Sequence, residues 1–290
     1  MSGFVVAVVL FAALLHAGWN ALVKAGREPF LTSVLVASGG AAISVVVLPF
    51  LTQPDAGSWP FVLASTCIHF FYYGLLAAAY RHGDMSHAYP LMRGSAPMLV
   101  AMLSVPLLGE RLTTQQYAAV ATISAGIFGL WFAAPAMALP HSADVMTHSR
   151  RRRSTVYALL NALAIAAYTL VDGIGVRKSG SPAAYTMWLF ALSASGLLVW
   201  TLARRPRELA AYALAHWRVA ALGGIGTLAS YGLALWAMTA APVAAVAALR
   251  ETAILFAAAI AALFLREKIG VRRGTAIALI AAGAALMRYA

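Results

Sequence analysis

The chain has 290 residues, 62% hydrophobic and only 10% charged, with a net charge of +12 and a mean hydropathy of +0.81. A soluble domain usually carries about 25% charged residues, so this composition excludes a water-soluble globular protein. The basic residues sit in short loops between apolar blocks, as membrane topology imposes, and this argues against a nucleic-acid partner.

The apolar blocks are each roughly 20 residues long, the length that crosses the hydrocarbon core. They predict helices at roughly 4–23, 30–51, 61–80, 86–108, 113–134, 154–176, 182–203, 216–238, 241–265 and 270–288. The first block lacks the basic leader and small-residue cleavage site of a signal peptide and is expected to be a retained helix. Short connections hold the turn residues and charges: "AGREP", "TQPDAGSWP", "RHGD" and "GERLT". The longest break, "PAMALPHSADVMTHSRRRRS", divides the chain into halves 1–135 and 154–290, joined by a basic loop at 136–153. Its run Arg150 to Arg153 suits anionic lipid head groups. Cys67 is the single cysteine, which excludes an intrachain disulfide.

The halves resemble each other. "RGSAPMLVAMLSVPLLGERLTTQQYAAVATISAGIFGL" aligns without a gap on "RETAILFAAAIAALFLREKIGVRRGTAIALIAAGAALM". Arg93 falls on Arg250, Ala96 on Ala253, Leu108 on Leu265, Glu110 on Glu267 and Gly126 on Gly283, a constant offset of 157, the difference between positions 93 and 250. Alanine matches are cheap in such a sequence; arginine on arginine and glutamate on glutamate at one offset are not. With five spans per half, the second copy enters the membrane from the opposite side. The expected fold is therefore an all-α polytopic membrane protein, ten transmembrane helices as two inverted five-helix repeats.

"YRHGDMSHAYPLMRGSAPMLVAMLSVPLLGERLT", "AALRETAILFAAAIAALFLREKIG" and "LLHAGWNALVKAG" resemble the EamA family of the drug/metabolite transporter superfamily. The likeness covers essentially the whole chain; Arg266 stands where the second repeat usually has a Gly before Glu267. The resemblance implies a carrier of small metabolites or drugs with export as its direction, and the inverted repeats lead to the expectation of alternating access around a central cavity. It also implies a multi-pass protein of a bacterial-type inner membrane.

Ionisable residues inside a membrane are costly and face a partner or a watery cavity. Arg93 and Arg250 are the leading candidates for substrate binding, as forks for a carboxylate or phosphate. As structure, Arg93 would satisfy carbonyls freed by Pro90 and Pro97, Arg250 would pair with Glu251, and pairing between the repeats is a third option. Glu251 is either a proton-coupling site or the neutralising partner of Arg250, with the second favoured. Asp172, near Arg177 and Lys178, reads as an interfacial charge. Tyr89 offers a hydroxyl to substrate or anchors the interface. Pro90 and Pro97 should kink or loosen helix four. His16 and Asn20 share a helix face with Trp19 beside them; they line the pore or, the favoured reading, form interhelical hydrogen bonds. Trp188, Tyr231 and Trp236 read as packing, and Glu110 and Glu267 as interfacial charges near Arg111 and Lys268.

Walker A, Gly-x-Ser-x-Gly and His-Glu-x-x-His patterns are absent from the sequence, so no catalytic residue, cofactor or metal site is expected. The expected function is secondary transport of a small molecule, anionic or zwitterionic, by a monomer or homodimer in the lipid bilayer. The alternatives are an intramembrane enzyme on lipid-linked substrates and a non-transporting scaffold or sensor subunit. Basic residues concentrate after the odd-numbered helices, which puts those loops in the cytoplasm and both termini outside; the family resemblance implies the opposite orientation.

Overall fold

The computed structural model describes residues 1–83, 85–133, 148–264 and 270–290, and among these every regular element is helical. In chain order they are α1 (Gly3–Ala25), α2 (Pro29–Val47), continued by a 3-10 turn at Leu48–Phe50, α3 (Trp59–His82), α4 (Met85–Leu108), α5 (Thr114–Ala133) and α6 (His148–Lys178). Then follow α7 (Pro182–Arg204), α8 (Pro206–Ala215), α9 (Trp217–Ala240), α10 (Val243–Arg250), α11 (Ala253–Phe264) and α12 (Val271–Tyr289). Every expected span overlaps one of these helices. Prolines start α2, α7 and α8 at the first turn, where the missing N–H costs nothing and φ is already set.

Eight stretches among the described residues are long and apolar enough to cross a membrane: 3–25, 29–50, 56–82, 87–108, 150–178, 182–204, 217–240 and 243–263. Among the described residues, the portions of the ten expected spans in α5 and α12 are not among these eight. α12 carries Arg272, Arg273 and Arg288 within its 19 residues, and α5 opens on the polar Thr114, Gln115 and Gln116. Large apolar side chains stand exposed on many helices, among them Phe4 at 69%, Phe71 at 72%, Phe132 at 71% and Leu263 at 76%, a surface suited to hydrocarbon rather than water.

Two differences from the expected elements have physical causes. The segment 204–215 reads as a charged loop, yet Pro206–Ala215 is a helix of ten residues; it buries Leu209 against Leu31 and Val34, and its Tyr212 hydroxyl lies 2.8 Å from Thr32 Oγ1. The second concerns helix continuity. α4 remains one helix through Pro90, Pro97 and Pro106. The span after Pro242, with no proline or glycine inside it, instead divides between α10 and α11 at Glu251 and Thr252. There the N–H groups of Glu251, Thr252, Ile254 and Leu255 bond carbonyls three residues back, at 3.1, 3.0, 3.0 and 2.9 Å, the tight 3-10 pattern that often marks functional positions.

The chain forms two compact units, and neither coincides with a sequence half. One comprises residues 1–3, 71–170 and 242–290; the other comprises 4–70 and 171–241. In the first, α12 packs on α5, α4 on α5, and α10 on α4. The contact of α5 with α12 is duplicated by the repeat. A Cβ added to Gly126 would lie 2.7 Å from Ile280 Cγ1 and 2.8 Å from the Ala276 carbonyl oxygen; one on Gly283 would lie 2.6 Å from Ile123 Cγ1 and 3.0 Å from the Ala119 carbonyl oxygen. Each glycine lets the facing backbone approach, as small residues do between membrane helices. In the second unit, α2 packs on both α9 and α7. There Arg177 donates from Nε to the Met238 carbonyl at 2.7 Å and from Nη2 to the Ala241 carbonyl at 2.9 Å, closing the end of α9.

Candidate functional site

The first compact unit is organised around α10. Its residues Val243 to Leu249 are all buried, as expected for a helix apolar on every side. Glu110, expected as an interfacial charge, instead accepts a 2.8 Å hydrogen bond at Oε1 from the Val243 N–H. A carboxylate there satisfies an orphan donor and complements the positive end of the helix. Glu267, its counterpart in the second repeat, lies outside the described residues.

At the other end of α10 stand Arg250 and Glu251. The expected partner of Glu251 was its neighbour Arg250; the close ion pair runs instead to Arg93 of the first repeat, Nε to Oε2 at 2.9 Å, with side chains only 14% and 6% exposed. Residues adjacent on a helix do not face each other, so the carboxylate meets a guanidinium from α4 more directly. Arg250 remains close enough to Glu251 for electrostatic attraction, and the Tyr89 hydroxyl lies within reach of both Arg93 and Glu251. The two repeats thus contribute an arginine each but only one carboxylate. The position matching Glu251 is Gly94, where a Cβ would already come within 3.1 Å of the Phe128 ring.

Tyr168 and Thr169 of α6 complete a crevice with Arg93, Arg250 and Glu251. In this conformation it has room for about one water molecule. α6 is tied to α4 by Asn161, which donates to Met92 Sδ at 2.9 Å, and by His87. Trp131 can only donate, so His87 Nδ1 accepts its Nε1–H at 3.0 Å and the opposite nitrogen carries the proton toward Thr155 Oγ1 at 2.9 Å.

Of the expected site residues, Arg93, Arg250, Glu251 and Tyr89 therefore come together. His16, Trp19 and Asn20 belong to the other compact unit. Asn20 is exposed and donates to the carbonyl of His16 on its own helix at 2.7 Å, so it does not make the interhelical bond expected of it. The His16 ring meets Trp19 edge-on at 5.1 Å. Trp188 donates to Gln53 Oε1 at 2.8 Å and packs on Trp59, and Trp236 packs on Phe4.

Asp172, expected at the interface, is fully buried. Its Oδ1 accepts a hydrogen bond from Tyr185 at 2.9 Å and its Oδ2 one from Tyr231 at 2.5 Å. Arg177 and Lys178, the charges that suggested the interface, are engaged elsewhere: Arg177 on the end of α9, and Lys178 over the Phe61 ring at 5.1 Å. The only sequence signal for this cluster was an acidic residue within an apolar run.

A duplicated all-helical bundle with long apolar spans and charges buried inside it defines a polytopic membrane protein. Residues 3–132 and 152–289 each match the profile of the EamA-like transporter family, and the chain belongs to that family. Membership makes it a membrane transporter in class. Among the solved structures that match, one crystal structure does so with a TM-score of 0.74 at 19% identity, over 99% of this chain and 98% of the other; at that identity the likeness carries the fold alone. No functionally curated protein matches.

Proposed function

We propose that the protein is a secondary transporter of a small anionic or zwitterionic metabolite, with Arg93 and Arg250 holding the anionic group of the cargo. The observation that carries this reading is one buried carboxylate, Glu251, set against two guanidiniums in a crevice of an otherwise apolar bundle. Charge inside a membrane is kept for function, and the planar fork of arginine matches a carboxylate or phosphate. A cargo anion takes the place of Glu251 on Arg93. Glu251 then turns to Arg250 or to a cargo ammonium, which is why a zwitterion suits the site as well as an anion. Tyr89 supplies a hydroxyl beside it. His16, Trp19 and Asn20 stay outside this core of the proposal.

With room for about one water molecule, the crevice is too small for a metabolite, so cargo entry needs the helices to part, as in alternating access. Ten spans in two inverted five-helix repeats, 1–135 and 154–290 with a basic loop at 136–153, frame that movement. α5 and α12, with 20 and 19 residues, are about 30 Å long at 1.5 Å per residue and so reach across the hydrocarbon core. We place the protein in a bacterial-type inner membrane as an exporter, a monomer or homodimer surrounded by lipid, with no nucleic-acid partner.

A thermal-shift screen of detergent-purified protein against amino acids, organic acids, sugar phosphates and cationic drugs tests this. A ligand at 100 times its Kd stabilises by about 2.7 kcal/mol. Stabilisation by anions or zwitterions, lost in Arg250→Ala, is the expected result. Stabilisation by cations alone, or an anion response unchanged in Arg250→Ala, overturns the reading.

A further inference from the structure

From the cluster around Asp172 in the second compact unit, we infer that this carboxylate is a reversible proton-binding site of the transporter. From α7 comes the Tyr185 hydroxyl and from α9 the Tyr231 hydroxyl. From α3 come the buried Ser65 and, within electrostatic reach, His69. On its own helix, Arg177 is committed to the carbonyls of Met238 and Ala241 and Lys178 to the Phe61 ring. No arginine or lysine pairs with Asp172 among the described residues.

The chemistry of those partners decides what the cluster can hold. An ionised carboxylate buried without a fixed cation is expensive, whereas hydroxyls serve either protonation state, because each can donate to the anion or accept from the acid. The cluster therefore accommodates a proton without rearranging its helices. Beside the cluster, His69 Nδ1 donates to the Ser65 carbonyl oxygen at 2.8 Å and lies 3.4 Å from the Ser65 hydroxyl. A proton that adds to the carboxylate leaves a neutral acid held by the same hydroxyls. α6 carries this residue four positions after Tyr168, which lines the arginine crevice, so one helix bears both the proton site and a wall of the proposed cargo site.

Infrared difference spectroscopy of the purified full-length protein in lipid nanodiscs, titrated with pH, reads the site without any cargo. A carboxylic-acid carbonyl band that appears on acidification, is lost in Asp172→Asn and is retained in Glu251→Gln is the expected result. Tyr231→Phe should move its midpoint upward by roughly one pH unit, because a hydroxyl donor favours the ionised form; this arm holds even where Asp172→Asn fails to fold. A band that survives Asp172→Asn, a midpoint indifferent to Tyr231→Phe, or no titrating band overturns the inference. Because no cargo is used, such a failure leaves the arginine site standing, and a failed cargo screen leaves the proton site standing.

Discussion

Glu251 and Asp172 are both carboxylates buried in apolar surroundings, one in each compact unit, and they are held by opposite chemistries. Glu251 meets a guanidinium at 2.9 Å; Asp172 meets hydroxyls at 2.9 and 2.5 Å. A charge answered by charge cannot lose its partner cheaply, because the survivor is left buried and uncompensated. A carboxylate answered by hydroxyls can turn neutral and keep its hydrogen bonds, since a hydroxyl both donates and accepts. The first arrangement suits exchange of one anion for another; the second suits gain and loss of a proton.

The sharpest way to break this contrast is Arg93→Ala. It should cost about 3–5 kcal/mol in chemical denaturation, with much of the loss recovered in the Arg93→Ala/Glu251→Ala double variant. A cost as small as that of a surface change would mean that Glu251 does not depend on Arg93. Next comes Glu110→Ala, which removes the carboxylate from the Val243 N–H and should cost about 1 kcal/mol by the same assay, testing whether α10 needs that cap to present Glu251. The smallest effect belongs to Asp172→Asn. Asparagine keeps the shape and can still hydrogen-bond both tyrosines, so the loss should be at most about 1 kcal/mol. A loss equal to that of Arg93→Ala would make the two carboxylates alike and end the comparison.

Arg93, Arg250 and Glu251 were legible as candidates because charges are so scarce in this chain that any inside an apolar block stands out. Their pairing was not legible. Proximity along the chain favoured Arg250 with Glu251, but the partner at 2.9 Å came from another helix, since adjacent helical residues point apart. Asp172 was misread for a related reason: Arg177 and Lys178 follow it closely in sequence, yet one turns to the end of α9 and the other to Phe61. α4 runs on as one helix through its three prolines, while the proline-free span after Pro242 divides at Glu251 and Thr252, a break with no sequence signal of its own. α8 escaped notice because ten residues with charges at one end read as a loop until Thr32 and Leu31 are seen against it.

By itself the sequence determined the helices, the apolar spans and the duplication that sets Arg93 opposite Arg250 at an offset of 157, the difference of their positions. Those are local or periodic properties, written in the length of apolar runs and the spacing of rare charges. Only the tertiary structure decided which charge meets which group: Arg93 with Glu251, Glu110 with the first N–H of α10, and Asp172 with two tyrosines. Such contacts join residues far apart in the chain. They depend on which helix faces pack together, and hydropathy carries no record of that.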